Sequence, residues 1–225
     1  MSKIRITKNG PYLVTGNISL GEMIILPTKN GNIYKEGRTF PSQEEYALCR
    51  CGKSKNKPFC DGSHHSSTFD GTLTASKELI TNYATKYESP NLILEDAESL
   101  CAFARFCHNK SGDIWTLLET AENKKDEKIV IEMANNCPSG RLVIVDKKTK
   151  TKIEPVFEKS IMLLQDPSRK CSGPLWVRGG ILIEDETGAK LETRNQVTLC
   201  RCGRSSNKPF CDASHVNSKF NDGGL

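Results

Sequence analysis

The feature that most constrains this chain is a cysteine-rich block that occurs twice. Residues 48–64 read LCRCGKSKNKPFCDGSH and residues 199–215 read LCRCGRSSNKPFCDASH, so that fourteen of seventeen positions are identical. Each block contains three cysteines and one histidine in the pattern C-x-C-x8-C-x3-H. Because the same donor residues recur at the same spacing, we interpret them as ligands of a metal centre rather than as core residues.

The ten cysteines of the 225-residue chain bear on the compartment in which it works. The N-terminal sequence MSKIRITKNG lacks the apolar core of an export signal, and no run approaches the roughly 20 apolar residues of a membrane span. We therefore expect a cytoplasmic protein without membrane segments, in which cysteines serve metal sites because disulfides are rare there. The net charge of +5 is spread along the chain and gives no reason to expect nucleic acid as a partner.

The repeat extends upstream of the cysteine blocks and divides the chain into regions. GPYLVTGNI begins at Gly10 and GPLWVRGGI begins at Gly173, and the interval to the cysteine block is twelve residues longer in the first copy. We assign the extra residues to a longer loop within TKNGNIYKEGRTFPSQ. The sequence predicts a first module over residues 1–74, a middle region over residues 75–165 and a second module over residues 166–225.

The expected fold class is α+β. Each module is predicted to contain short strands, the ligand block and a brief helix that starts after Asp61 or Asp212, since aspartate is a good N-cap residue. In the middle region, ILEDAESLCAFARF and DEKIVIEMAN have the apolar spacing of helices. The segment LVIVDKKTKTKIEPVF reads as two strands joined by a basic turn. The fold is thus two small β-rich modules with an α/β region inserted between them.

The ligand spacing in each block favours a binuclear iron centre. The two thiols of C-x-C can bind one iron, and Cys60 and His64, four residues apart, can share a helix face and bind a second. This gives a [2Fe–2S] cluster in which a neutral imidazole replaces one thiolate and makes the cluster easier to reduce, as two histidines do in Rieske centres. Basic residues are expected to offset the remaining negative charge; they are Arg50, Lys53, Lys55 and Lys57 in the first block, and Arg201, Arg204 and Lys208 in the second.

Zinc is the alternative metal. Three cysteines and one histidine are a common zinc set, and the same residues would then form a structural or nucleic-acid-binding zinc module. Zinc ligands usually come in C-x2–4-C pairs, which the C-x-C spacing does not match. Each block also offers only one aromatic residue, Phe59 or Phe210, whereas a nucleic-acid-binding surface interleaves several with its basic residues.

Both blocks resemble the signature of the CDGSH iron–sulfur domain family, or NEET proteins, C-x-C-x2-(S/T)-x3-P-x-C-D-G-(S/A/T)-H. The first block matches throughout, and the second departs only at Ala213, where the family has glycine. Alanine favours helices more than glycine does, so we expect ligation to survive. The resemblance implies a redox-active, acid-labile [2Fe–2S] cluster in each block. The implied ligands are Cys49, Cys51, Cys60 and His64 in the first block, and Cys200, Cys202, Cys211 and His215 in the second.

The resemblance also implies how the modules associate. Family members with one motif form dimers of two chains, so two motifs in one chain imply a monomer in which the modules pair as an intrachain pseudo-dimer with an internal two-fold axis. The strands that follow Gly10 and Gly173 are expected to supply the shared sheet.

The middle region resembles the divergent mono-cluster ferredoxin domain, which carries C-x5-C and a later C-P. The segments LCAFARFC and NCPSGRL place Cys101, Cys107 and Cys137 at those positions and make them candidate ligands of a third iron–sulfur cluster. The alternative is that these cysteines face a core, where free cysteine is common. Cys171, in SRKCSGP, is expected to be a free thiol in a loop.

These features together predict an iron–sulfur protein that acts in electron transfer or cluster transfer. Its expected partner is a redox protein or a protein that accepts a cluster. No glycine-rich nucleotide fingerprint follows a strand and no nucleophile motif is found, so we expect no enzymatic activity and name no catalytic residue.

Overall fold

The structure is a computed structural model that describes residues 2–225. These residues form a strand-rich α+β fold with fifteen strands and four helices, as expected. None of the helices in this part of the chain has the length and apolar character needed to traverse a bilayer. The strands of the first module are β1 (Lys3–Ile6), β2 (Tyr12–Thr15), β3 (Ser19–Thr28), β4 (Gly31–Thr39) and β5 (Glu45–Leu48). Those that follow are β6 (Thr85–Glu88), β7 (Leu92–Asp96), β8 (His108–Asn109), β9 (Gly112–Asp113), β10 (Leu142–Asp146), β11 (Lys152–Ile153), β12 (Ser160–Asp166), β13 (Cys171–Arg178), β14 (Leu182–Glu184) and β15 (Gln196–Leu199). The helices are α1 (Ile80–Tyr83), α2 (Ile114–Glu119), α3 (Lys124–Asn135) and α4 (Ser214–Asn217).

Two sheets join the modules by exchanging strands. One sheet has the order β14-β1-β2-β5, and the other has the order β15-β13-β12-β3 before it continues into β4, β8 and β9. The strand β14 of the second module pairs in parallel with β1, and β3 of the first module pairs in parallel with β12. Each module therefore lends one strand to the sheet of the other.

The expectation that the strands after Gly10 and Gly173 share one sheet was wrong. These strands, β2 and β13, lie in different sheets, and the sharing is done by β3 and β14. The predicted longer loop in the first module was also wrong, because those residues continue the β3–β4 hairpin. The strand β3 pairs with β12 on one side and with β4 on the other. A loop at the position of β4 would leave backbone N–H and C=O groups of β3 without partners.

One hydrophobic core lies between the two sheets and draws on both modules. It contains Tyr12 and Leu48 from the first module, and Leu175 and Leu199 from the second, all with no more than 1% of their surface exposed. Burying side chains of this size stabilises a fold by about 1.5–3 kcal/mol each. Because the apolar residues of one module pack against those of the other, neither half of this core is closed without its counterpart.

The middle region forms a separate layer with the sheet order β11-β10-β7-β6, covered by α2 and α3. The predicted helix in DEKIVIEMAN is confirmed as α3, and the predicted basic hairpin is confirmed as β10 and β11. The predicted helix in ILEDAESLCAFARF was wrong, because this segment is β7, a 3-10 turn at Glu98–Leu100 and an extended loop. Pairing of β7 with both β6 and β10 overrides the local apolar spacing.

Three smaller expectations have mixed outcomes. A brief helix follows Asp212 as α4, whereas turns follow Asp61. Cys171 does not lie in a loop, because it begins β13 and is fully buried. The strand β12 pairs within the sheet of the second module and begins at Ser160. This start lies upstream of residue 166, where the sequence analysis placed the domain boundary. The domain boundaries stay predictions.

Two arginines of the ligand blocks are buried and bind backbone carbonyls around their loops. Arg50 is 2% exposed and donates to the carbonyls of Thr7, Gly10 and Gly71. Arg201 is 3% exposed and donates to the carbonyls of Leu164 and Gly173 and to the carboxylate of Asp222. Both arginines were expected to offset the negative charge of a cluster, and that role stays a prediction. The structure shows them buried among acceptors, which a guanidinium without access to water requires.

We predict that Asp222→Asn destabilises the fold, because it leaves Arg201 buried without its counter-charge. Both side chains of this pair are almost fully buried, and breaking such a pair costs about 3–5 kcal/mol. The free energy of unfolding at pH 7, from denaturant titration, checks this. The control is Asp70→Asn, which alters an exposed aspartate of the first module. It should change the free energy of unfolding by less than about 0.5 kcal/mol.

The same pair predicts a pH dependence. Burial acts to raise the pKa of Asp222, but the Arg201 charge and hydrogen bond hold it below its ordinary range. The stabilisation is therefore present above the unfolded pKa of about 4 and is lost as the pH falls further towards the folded pKa. The difference in unfolding free energy between the wild type and Asp222→Asn should narrow below about pH 4. A difference that stays constant down to pH 3 would contradict this.

Candidate metal centres

The two thiols of each C-x-C sequence are spaced for one metal. Cys49 follows the end of β5, and its Sγ lies 3.7 Å from the Sγ of Cys51. In the second module, Cys200 follows β15, and its Sγ lies 3.6 Å from the Sγ of Cys202. Two thiolates on one tetrahedral metal, each at about 2.3 Å, lie about 3.8 Å apart. Each pair of thiols therefore fits one tetrahedral metal.

The remaining cysteine and histidine of each block form a second pair. The Sγ of Cys60 lies 3.4 Å from Nδ1 of His64, and the Sγ of Cys211 lies at the same distance from Nδ1 of His215. A thiolate and an imidazole nitrogen on one tetrahedral metal lie about 3.6 Å apart. Each block thus presents two donor pairs, which is the arrangement that a binuclear centre requires.

The same internal hydrogen bonds shape both ligand loops. In the first loop, the Ser54 hydroxyl donates to the Phe59 carbonyl at 2.6 Å, and the Asp61 carboxylate accepts from the backbone N–H groups of Lys55 and Ser63. The corresponding bonds of the second loop are made by Ser205, Asp212 and the N–H groups of Ser206 and Ser214. These bonds tie the segment after C-x-C to the segment that carries the second donor pair, so they set the relative position of the two pairs.

The two ligand loops touch each other at a pair of glycines. A Cβ placed on Gly52 would lie 2.5 Å from the carbonyl oxygen of Cys202, and one placed on Gly203 would lie 2.5 Å from that of Cys51. Both glycines have positive φ angles, +72° and +78°. The Tyr12 hydroxyl adds a further bond between modules by donating to the Cys200 carbonyl at 2.7 Å. The C-x-C pairs of the two modules are therefore held side by side.

The second donor pairs differ in burial. Cys60 and His64 are half-buried, whereas Cys211 and His215 are only 3% and 5% exposed. Burial lowers the pKa of both imidazoles, and that of His215 falls to about 4. Both rings are therefore neutral near pH 7, the form that binds a metal. Burial also raises the pKa of the Cys211 thiol, so that metal binding there must displace a proton.

The other basic residues of the blocks have two roles. Lys53, Lys55 and Arg204 are exposed, and their expected role in offsetting the charge of a cluster stays a prediction. Lys57 and Lys208 instead donate from Nζ to the carbonyls of Ser54 and Ser205, so they also close the ligand loops.

The structure corrects the reason given above for expecting alanine at position 213 to preserve ligation. Gly62 has a φ of +84°, and Ala213, at the equivalent position, has a φ of +68°. The position is thus left-handed backbone and not helix interior, so helix propensity does not apply there. The Ala213 N–H still donates to the Cys211 thiol at 3.4 Å.

The three predicted ligands of the middle region lie on one cavity, although they are not grouped closely enough to hold a single metal ion. Cys101, Cys107 and Cys137 line one small cavity of about 20 Å³. The loop between Cys101 and Cys107 has two residues with positive φ, Phe103 and Arg105. Within residues 2–225, the backbone N–H groups of residues 102–106 donate to no backbone carbonyl. Alternating backbone of this kind turns N–H groups towards an anion, as in many iron–sulfur sites.

Sequence reasoning missed how several residues shape the ligand loops, since it gave Ser54 and Ser205 no role and treated Asp61 and Asp212 only as helix N-caps. Ser54, Asp61 and their counterparts Ser205 and Asp212 lie within the repeated block, and their exact repetition was the available signal. Arg105 was missed altogether, because its contacts are made with residues far away in the sequence.

Comparison with known families agrees with these geometries. A model of the family described as iron-binding zinc finger CDGSH type matches residues 9–65 and 172–216. A model described as divergent 4Fe-4S mono-cluster matches residues 87–147, which include Cys101, Cys107 and Cys137. No curated protein and no solved structure matches the chain.

We predict opposite effects for a pair of substitutions at the left-handed position. Ala213→Gly should raise the free energy of unfolding by about 0.5–1 kcal/mol, because glycine adopts positive φ without steric cost. Gly62→Ala should lower it by about 1 kcal/mol, although the added Cβ would meet no atom within 4 Å. Denaturant titration of both variants checks this. Equal signs for the two substitutions would show that backbone strain does not decide this position.

Proposed function

Because two segments of the chain match the model of the CDGSH family, we propose that each motif binds one [2Fe–2S] cluster through three cysteines and one histidine. The observation that carries the proposal is that each block divides its donors into two pairs, at 3.6–3.7 Å and 3.4 Å, each spaced for one tetrahedral metal. The ligands are Cys49, Cys51, Cys60 and His64, and Cys200, Cys202, Cys211 and His215. When bound, such a cluster accepts and releases one electron.

A zinc module remains the competing reading of the same donors. A mononuclear zinc site would place all four donors around one ion. The pairing of the donors supports the binuclear reading, and so does the match of the middle region to a family that binds an iron–sulfur cluster.

We propose that the protein carries electrons, or the clusters themselves, and is not an enzyme. The half-buried Cys60 and His64 support this role, because they bring the first site to the surface, where a protein partner can reach it. The exposed Lys53 and Lys55 beside that site favour a partner with acidic residues. The partner is therefore proposed to be a redox protein or a protein that accepts a cluster.

We further propose that the two modules act as an intrachain pseudo-dimer. Three pairs of equivalent contacts support it. The strands β3 and β14 are exchanged in the same parallel manner, the glycines Gly52 and Gly203 approach equivalent carbonyls, and the two sheets contribute equivalent strands to one core. Two copies of one module within one chain would produce this correspondence, as a dimer of single-motif chains does.

The middle region is proposed to bind a further iron–sulfur cluster through Cys101, Cys107 and Cys137. The support is that the three cysteines line one cavity, that the N–H groups of residues 102–106 donate to no backbone carbonyl of the described residues, and that a family model matches this region. Burial raises the pKa of Cys107 to about 11 and also raises that of Cys137, so a metal has to displace their protons.

We predict that replacing the histidine ligands by cysteine changes the reduction potential. His64→Cys and His215→Cys each add one negative charge to a cluster, so each should lower the potential of its own site by on the order of 100 mV. Each should also make its cluster less sensitive to acid, because the protonatable imidazole is gone. Redox titration measures the first effect, and the loss of visible absorbance as the pH falls from about 8 through the His215 pKa of about 4 measures the second.

The control for this prediction is His65→Ala, which alters an exposed histidine next to a ligand. It should leave the potential and the acid sensitivity at their wild-type values. If the two His→Cys variants behave as this control does, the histidines are not ligands.

A further inference from the structure

The two CDGSH sites have the same donors but different neighbours. At the first site, Cys60 and His64 keep part of their surface in solvent, and at the second site Cys211 and His215 are almost completely covered. Residues 48–64 and 199–215 differ at only three positions. The difference in burial must therefore come from what packs around the second loop.

The middle region packs directly on the second ligand loop. The Asn207 side chain donates to the Ser99 carbonyl at 2.9 Å, and Leu100 lies in one apolar cluster with Phe210. Ser99 and Leu100 immediately precede Cys101, and Phe210 immediately precedes Cys211. The contact therefore places the middle thiol site beside the second CDGSH site. The chain leading into the middle region is attached there as well, since the N–H groups of Thr74 and Ala75 donate to the Lys208 carbonyl.

The loop from Cys101 to Cys107 is also fixed to the second module. The Arg105 guanidinium donates to the Asp166 carboxylate at 2.6 Å, and this pair is 19% and 7% exposed. The guanidinium groups of Arg105 and Arg169 both contact the ring of Phe103, at 5.6 Å and 5.2 Å from its centroid. Asp166 ends β12, and Arg201 of the second ligand loop donates to the carbonyl of Leu164 in the same strand. The Arg105–Asp166 pair therefore lies at the strand end to which the second ligand loop is hydrogen-bonded.

We propose that the middle region is the internal partner of the second CDGSH site. Residues 99–106 cover that site and hold the Cys101, Cys107 and Cys137 thiols beside it, and Arg105 is the positioning residue that fixes this cover through Asp166. The first site, which lacks such a cover, is then the one that an external protein reaches directly. The inference rests on the proposed function, because it requires a cluster at both motifs.

The experiment measures how fast each cluster is lost to an excess of EDTA, followed by the decrease in visible absorbance and by released iron. The wild type should lose its CDGSH clusters in two phases. Cys60→Ser should lack the fast phase and Cys211→Ser should lack the slow one, which assigns each phase to its site. Any phase that disappears in Cys137→Ser belongs to the middle thiols.

Opening the cover should then accelerate the slow phase alone. Arg105→Ala and Asp166→Asn should each speed it at least about fivefold, because local opening exposes the site, and leave the fast phase unchanged. Arg105→Lys, which keeps the charge, should fall between these variants and the wild type. Lys148→Ala, in the exposed basic hairpin of the middle region, should match the wild type. Thermal unfolding followed by circular dichroism confirms that each variant remains folded.

Two results would overturn the inference: equal rates of loss from the two CDGSH sites of the wild type, or a slow phase that Arg105→Ala and Asp166→Asn leave unchanged. A purified protein without sulfide-to-iron absorbance would instead contradict the proposed function. The two failures are therefore distinguishable in the same sample.

Discussion

The close approach of the two C-x-C loops is the constraint on which the rest of the structure depends. Gly52 and Gly203 each face the carbonyl of a ligand cysteine in the other module, at a distance where any Cβ would clash. The exchange of β3 and β14 between the sheets brings the loops to this position, and the common core holds the sheets together. Ligand geometry in one motif thus depends on correct folding of the other.

Duplication provides two matched sets of candidate donors, and the structure buries the second set more than the first. The buried arginines follow the same logic on a smaller scale. Arg50 and Arg201 both donate to backbone carbonyls around their loops. They differ at Nη1, which donates to the Gly71 carbonyl in Arg50 and to the Asp222 carboxylate in Arg201. A nearly identical ligand block can therefore have a different solvent access in each copy, because residues outside the block contribute to its burial.

Much of the candidate site could be predicted from the sequence, because its donors are close together in the chain. The spacing of C-x-C and C-x3-H gave the two donor pairs, and the apolar pattern of α3 and of the β10–β11 hairpin predicted those elements. The segment around Cys101 was mistaken for a helix, because pairing of β7 with two neighbouring strands outweighs its local pattern. Strand exchange, the burial of Arg50 and the contacts of Arg105 depend on residues distant in the sequence, which no local pattern reveals.

The central claim is that each motif holds a pair of irons and not a single zinc ion. The most direct measurement is the content of iron, acid-labile sulfide and zinc per chain in protein purified without oxygen. Two binuclear clusters predict at least four iron and four sulfide per chain, with further iron and sulfide if the middle thiols are loaded. A colourless protein that contains about two zinc ions and no labile sulfide would contradict the account.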